Sequence, residues 1–269
     1  MARLSPLLLA LISLLCFPST APAQPEANRP STGLLGTIER DHYIAPGGLY
    51  RVKIPVLPEL GGSISDTGNV VVFRDDYSTH VSIGAFVLDA TQRWELATTE
   101  REQYLTAFFA MLVMPDFEKM FPGSQIETTR FEPGLLSAAE GVGAAEKSGS
   151  ETRRNAGTTK GAVPDDEAGG AVFCFTLLPG GSMFGTPFAD ARAAREGRPP
   201  VAKRGNLIFA QNGVVYVLSI ELSERLHSRN YQKTPEEENA LLSQRLTALL
   251  HSMQFAGATG TSPRAHATK

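Results

Sequence analysis

The sequence predicts an α/β protein of the α+β type, with a single mainly antiparallel sheet of about six to seven strands and amphipathic helices packed on its faces. Two observations predict this fold. Short β-rich segments occur in pairs joined by polar turns, as in antiparallel hairpins. Two longer segments carry apolar residues at the three- and four-residue spacing of helices. Hydrophobic residues make up 42% of the chain and include 14 Phe, which is enough for a packed core.

Residues 1–23 are predicted to be an export signal. Arg3 supplies a positive charge, Leu7 to Phe17 form an apolar run, and Ala21-Pro22-Ala23 offers the small residues that a signal peptidase requires. The apolar run is roughly half as long as the ~20 residues that span a bilayer. We therefore expect cleavage near Ala23, and a periplasmic or secreted mature protein.

The cysteines argue against both lipidation and an internal disulfide. Cys16 lies in the signal, and Leu15 before it is not the small residue that a lipoprotein signal requires. Cys174 is then the only cysteine of the mature chain, and it lies within an apolar run. No histidine or basic residue beside it would lower its pKa. It is predicted to be a buried core residue.

The charge of the chain excludes one class of partner. The formal net charge is −3 at pH 7, whereas nucleic-acid binding requires a dense positive charge. No segment after the signal approaches membrane-spanning length, so we expect at most peripheral contact with a membrane. The remaining partners are proteins or other envelope components.

The first part of the mature chain predicts a lead-in followed by strands. Residues 24–47 form the lead-in, and Gly48 to Pro55 alternate between apolar and polar residues, as a half-buried strand does. Two β-rich runs follow, Asn69 to Arg74 and His80 to Leu88. The polar residues Asp75 to Thr79 between them predict a hairpin turn.

A long helix is predicted from about Thr91 to Val113, because its apolar residues form one face. Pro115 is expected to stop it, and Asp116 to cap a short helix that runs to Phe121. The alternating residues from Gln125 to Phe131 predict the next strand.

A mobile insertion is predicted at residues 138–170. This segment has no aromatic residue and few large aliphatic ones, so it cannot bury enough surface to offset the entropy of ordering. Ala171 to Leu178 resume as a strand, and a loop is expected to reach Arg204. Asn206 to Ala210 and Val214 to Leu222 predict a second hairpin across an Asn-Gly turn.

The last predicted element is a helix with a strong N-terminal signature. Thr234 is the expected N-cap, Pro235 takes the first helical position, and Glu237 completes a capping box. Residues 256–269 are small and polar and predict a disordered tail. We therefore expect one α/β domain over residues 48–255.

The order of these elements resembles the PsbP-like fold, named for the photosystem accessory protein and shared by exported bacterial proteins of unknown role. Three segments carry the resemblance: Tyr50 to Pro55, the hairpin from Gly205 to Leu222, and the ending from Leu249 to Phe255. The resemblance implies an accessory or docking protein. It transfers no catalytic, metal-binding or cofactor-binding residue to this sequence.

The sequence contains two weak candidates for a functional site, one catalytic and one metal-binding. Ser182 lies in a segment close to the nucleophile motif G-x-S-x-G, but Phe184 replaces the last glycine, and an ordinary turn is the better interpretation. Asp75, Asp76 and His80 surround a turn and could bind a cation, although Asp is common in turns for its local hydrogen bonds. We therefore expect no catalytic site, metal or cofactor.

One surface is a candidate for contact with an anionic membrane or an acidic partner. Its basic residues are Arg192, Arg195, Arg198, Lys203 and Arg204, all expected in the loop before the second hairpin. A loop that is merely solvated is the competing interpretation.

The hypothesis that fits these features is an exported, non-enzymatic accessory, docking or assembly protein of the cell envelope. Two alternatives remain open. One is an envelope serine hydrolase that uses Ser182. The other is a carrier of a small apolar ligand, with a pocket between the sheet and the first long helix. The side chains available to line that pocket are Phe108, Phe109, Met111 and Met114.

Overall fold

The computed structural model describes residues 33–136, 169–180, 201–227 and 231–256. The predicted signal, nearly all of the insertion at 138–170 and residues 257–269 of the tail lie outside these ranges. The domain limits drawn from the sequence therefore stay predictions.

Eleven strands occur in the described residues. In chain order they are β1 (Thr37–Glu39), β2 (His42–Ile44), β3 (Tyr50–Lys53), β4 (Ser63–Asp66), β5 (Val70–Arg74), β6 (His80–Val87), β7 (Gln125–Glu132), β8 (Ala171–Pro179), β9 (Val201–Gln211), β10 (Val214–Glu221) and β11 (Met253–Phe255). Seven of them form the main sheet in the order β4-β5-β6-β10-β9-β8-β7, and every neighbouring pair is antiparallel. The predicted sheet is thus confirmed.

A second, four-stranded sheet has the order β1-β2-β3-β11. The sequence did not predict it. Two of its strands fall in the segment expected to be a lead-in, and β11 follows the last helix. Three of the four strands have only three residues. In a strand of three residues, the alternation of apolar and polar side chains is too short to be recognised in the sequence.

The α-helices of the described residues are α1 (Ala90–Thr98), α2 (Arg101–Phe108), α3 (Met114–Met120), α4 (Glu224–His227) and α5 (Pro235–His251), with a π-helical turn (Phe109–Val113) between α2 and α3. The single helix expected from Thr91 to Val113 is therefore wrong. Thr99 is extended, with φ −106° and ψ 150°, and it separates α1 from α2. β-branched residues such as Thr98 and Thr99 favour this extended backbone.

Pro115 was expected to stop the helix, but it lies in the first turn of α3. A proline cannot donate a backbone hydrogen bond, and a first helical turn tolerates it for that reason. The π-helical turn leads directly into α3, so the chain stays helical on both sides of Pro115. Asp116 lies within that first turn and is not the N-cap.

Both faces of the main sheet are covered, and each has its own core. Along β10, Tyr216 and Leu218 belong to the cluster shared with α5 and the small sheet. Val215 and Val217 face the other way and pack with α2 and the π-helical turn. The described residues therefore form three layers, with the main sheet in the middle.

Two local features fix the terminal hairpin and helix as predicted. Asn212 and Gly213 both have positive φ, 52° and 75°, which matches the twist of a tight hairpin turn. The Thr234 side chain accepts a hydrogen bond from the Glu237 backbone N–H, and the Glu237 carboxylate accepts one from the Thr234 backbone N–H, so the capping box is confirmed. At Gly205, a Cβ would lie 2.9 Å from the Leu242 Cβ, so this glycine lets α5 approach the sheet closely.

Cys174 is buried in β8, as predicted, and burial raises the pKa of its thiol to about 12. The thiolate, which is the reactive form, is thus nearly absent at neutral pH.

We predict that Cys174 in a Cys16→Ser chain does not react with a disulfide reagent such as DTNB at pH 8 until the protein is unfolded in urea. A Val87→Cys variant is the matched control, because Val87 is exposed and its thiol should react at once. Rapid reaction of Cys174 in the folded protein would contradict its burial.

Candidate functional site

A cleft of about 480 Å³ opens where the small sheet, the turn between β5 and β6, and α5 meet. Its lining residues are Lys53, Ile54, Pro55, Ser78, Thr79, His80, Val81, Ile220, Glu224, Arg245, Ala248, Leu249 and Ser252. Small-molecule sites in proteins have volumes of roughly 300–1,000 Å³. The cleft is therefore large enough for a small organic ligand.

The cleft combines an apolar floor with charged and hydroxyl groups. Val81, Ile220 and Leu249 are buried residues of the core. Lys53 and Ser78, which also line the cleft, are exposed. This arrangement suits a ligand that has both an apolar and a polar end.

The turn between β5 and β6 is held by Asp75. Its Oδ1 accepts hydrogen bonds from the backbone N–H groups of Tyr77, Ser78 and Thr79, at 2.9, 2.7 and 2.9 Å. Burial alone would raise the pKa of Asp75, but these hydrogen bonds outweigh it and the pKa is lowered. The carboxylate thus has a structural role in the turn, as the competing interpretation of the proposed cation site expected.

An ion pair between α4 and α5 forms one side of the cleft. Arg245 Nη1 donates to Glu224 Oε2 at 3.1 Å, and Nη2 donates to Oε1. The hydrogen bond from Arg245 is the main reason that the pKa of Glu224 is lowered. The charge of Glu224 is therefore already matched by Arg245.

A buried polar group lies directly behind the cleft wall. Arg204 projects from β9 with its Nη2 3.5 Å from His80 Nδ1, and it donates to Ser82 Oγ at 3.2 Å. Its guanidinium carbon lies 5.3 Å from the centre of the Phe117 ring. Glu221, opposite Arg204 in the register of β9 and β10, attracts this charge.

The polar layer continues along the same face of the sheet. Asn206 Nδ2 donates to the Cys174 carbonyl at 3.0 Å and to Thr176 Oγ1 at 3.3 Å, and Asn206 Oδ1 accepts from Ser219 Oγ at 2.7 Å. Each of these buried groups has the partner that burial requires. The layer fixes the strands behind the cleft.

Lys203 makes a second buried charge cluster on the opposite face of the sheet. Its Nζ lies 2.5 Å from Glu127 Oε2 and 3.0 Å from Glu238 Oε2. Glu238 also accepts two hydrogen bonds from Arg225 Nη1, at 2.7 and 2.8 Å. The ladder of β7 and β8 shifts register between Ile126 and Thr128, and this bulge leaves Glu127 free to reach Lys203.

The surface predicted from Lys203 and Arg204 is not formed by these two residues. Their exposed fractions are 0% and 1%, because β9 begins at Val201 and the expected loop does not extend to Arg204. Arg192, Arg195 and Arg198 lie outside the described residues, so their part of that surface stays a prediction. Val201 and Ala202 are apolar. This feature of the sequence could have predicted that the strand begins before Lys203.

The other sequence candidates have separate outcomes. Ser182 lies outside the described residues. The rings proposed to line an apolar pocket pack against aromatic neighbours: Phe108 lies 5.6 Å from Phe86, and Phe109 lies 6.3 Å from Phe117, centre to centre. These two side chains belong to the core on one face of the main sheet. The cleft lies on the other face, because its buried residues belong to the other core.

The π-helical turn places apolar side chains in solvent. Met111 is 69% exposed and Leu112 is 51% exposed, while Phe109 beside them is buried. We call Met111 and Leu112 the π tip. The two helices that adjoin it, α2 with its N-cap and α3, carry more exposed carboxylates than basic residues: Glu100, Glu102, Asp116 and Glu118, against Arg101 and Lys119.

Two kinds of site are absent from the described ranges. No set of three His, Cys, Asp or Glu side chains in them is grouped closely enough to hold a metal ion. No helix in them has the length and apolar character needed to cross a bilayer.

We predict that His80 makes the stability of the protein depend on pH between 7 and 5. Burial, followed by the charges of Arg204 and Arg74, lowers its pKa from 6.5 to about 3. Below pH 6.5 the unfolded chain therefore takes up a proton that the folded protein does not. Stability should fall by about 1.4 kcal/mol per pH unit from this residue alone.

Urea unfolding at pH 7, 6 and 5 measures this effect. His80→Asn should flatten the decline, whereas His251→Asn, at an exposed position of α5, should leave the wild-type slope. The prediction fails if His80→Asn and the wild type lose stability equally over this range.

No protein-family model matches the chain, and no curated protein matches it. Solved structures do resemble it. The solution structure of cyanobacterial PsbP from Synechocystis sp. PCC 6803 has a TM-score of 0.39 and 9% identity, and covers 87% of this chain and 100% of its own. A mutant of the protein Mog1 has a TM-score of 0.37 and 7% identity, and covers 81% and 96%. A structure from Bacteroides thetaiotaomicron has a TM-score of 0.33 and 7% identity, and covers 84% and 52%. The predicted resemblance to PsbP is thus confirmed as a weak likeness of fold.

Proposed function

We propose that this chain is an exported, non-catalytic accessory protein of the cell envelope that docks onto a partner protein through the π tip. The observation that carries this proposal is the exposure of Met111 and Leu112. Apolar side chains that project from a surface lose contact with water when a partner covers them, and this stabilises the complex. The flexible, polarisable side chain of Met adapts well to a partner surface.

The structure beneath the π tip supports a fixed docking element. Phe109 and Phe117 pack against each other at the base of the π-helical turn. Arg101 of α2 donates to the carbonyls of Gly170 and Ala210, which joins this layer to the main sheet. A rigid element loses little conformational entropy on binding, and π-helical turns are frequent at functional sites.

The charges around the π tip indicate the chemistry of the partner. The adjoining helices α2 and α3 carry more exposed carboxylates than basic groups. A partner with an apolar pocket bordered by Lys or Arg would be complementary to this surface, and its association would weaken as salt increases. The export part of the proposal rests on the signal predicted at residues 1–23.

The test is in-cell cross-linking with a photoreactive amino acid at position 111, followed by purification. We expect one protein to be cross-linked from position 111 and none from position 57, which is exposed and follows β3 of the small sheet in the chain. Met111→Ser with Leu112→Ser should reduce recovery of that protein roughly tenfold, since two apolar side chains lose their burial.

Leu57→Ser with Leu60→Ser is the matched control, because both leucines are exposed. It should leave recovery unchanged. Equal recovery with the π tip variant, or an equal loss with the control, would contradict docking through the π tip.

A further inference from the structure

We propose that the cleft is a binding site for a small organic anion with an apolar body, of the class of medium-chain carboxylates. This site lies on the opposite face of the main sheet from the π tip, and the proposal does not depend on the docking function.

The positive charge that would hold the anion is Lys53. Among the described residues, no hydrogen bond or ion pair of 4 Å or less engages its ammonium group. Asp41 attracts it, but Asp41 is exposed and accepts a hydrogen bond from His42 Nδ1 at 2.7 Å, so water screens that attraction. Lys53 is thus available to a ligand.

The other charged residues of the lining also favour a negatively charged ligand. Among the described lining residues, Glu224 is the one carboxylate, and Arg245 is already bonded to it through two nitrogens. An anion near Lys53 therefore meets no unmatched negative charge from the lining. A cationic ligand would have to compete with Arg245 for Glu224.

His80 brings no charge of its own to the cleft. Burial is the first reason that its pKa is lowered to about 3, and the charges of Arg204 and Arg74 are the next reasons. His80 is therefore neutral at pH 7, so its ring does not repel or attract an anionic group through a net charge.

The apolar floor determines the rest of the ligand. Val81 of β6, Ile220 of β10 and Leu249 of α5 come from three elements of one core. Ile54 and Pro55 line the cleft beside Lys53. An alkyl or aryl group on this floor would leave water, at about 25 cal/mol per Å² of apolar surface buried, while its acid group stays near Lys53.

The probe for this proposal is octanoate below its micellar concentration, titrated into the full chain and followed by backbone amide NMR. We expect saturable shifts at cleft residues such as Ser78 and Leu249. Octanol, with the same apolar body and no charge, should bind roughly tenfold more weakly, and octylamine should give no saturable shift.

Two variants complete the experiment. Lys53→Gln should weaken octanoate binding roughly tenfold, whereas Lys119→Gln, at an exposed position of α3, should leave it unchanged. Equal urea midpoints for both variants would verify their folding. The proposal is overturned if octanoate causes no saturable shift in the cleft, if octanol binds as well as octanoate, or if the two variants bind octanoate equally.

Discussion

The structure depends on the burial of the β9–β10 hairpin on both faces of the main sheet. Every residue of β10 is buried, as are the nine residues of β9 between its two ends. A polar or charged side chain in such a position loses its contact with water, which costs several kcal/mol unless a partner replaces it. The charged residues Lys203, Arg204 and Glu221 of this hairpin therefore need matching groups from the layers on each side.

The partners of Lys203 explain how the helical side of the cleft is positioned. Glu238 belongs to the first turns of α5, and its bonds to Lys203 and Arg225 join that helix to β9 and α4. Gly205 lets the same helix lie close to the sheet. α5 then presents Arg245 and Leu249 to the cleft, so the ion pairs that satisfy a buried lysine also help to set the geometry of a surface site.

Sequence patterns predicted the elements whose signals are local. The hairpin turn at Asn212, the capping box at Thr234 and the buried position of Cys174 each depend on neighbouring residues, and each is confirmed. The main sheet followed from the pairing of such hairpins. The small sheet was missed, because strands as short as β1 and β11 acquire their structure from pairing with distant residues.

The cleft and the buried charges could not be predicted in the same way. Lys203 and Arg204 stand next to each other in the sequence, yet they face opposite cores and bind groups from β7, β6 and α5. From the sequence alone, their charge predicted surface positions. Their burial depends on partners far away in the chain, which local patterns do not reveal. The lining of the cleft likewise joins Lys53, Ser78 and Arg245, which only the assembled layers bring together.

The π-helical turn shows no distinct pattern in the sequence, since its residues continue the helical spacing of α2.

The most direct test of the central claim is a double-mutant cycle on Lys203 and Glu238, measured by urea unfolding at pH 7. Lys203→Met leaves carboxylates without their buried cation, and Glu238→Gln leaves buried cations with fewer partners. Each single variant should lose at least about 2 kcal/mol of stability. The double variant should lose clearly less than the sum of the two, because each substitution removes the group that the other leaves unpaired. Two additive losses, or single losses below about 0.5 kcal/mol, would show that this buried pair does not constrain the fold.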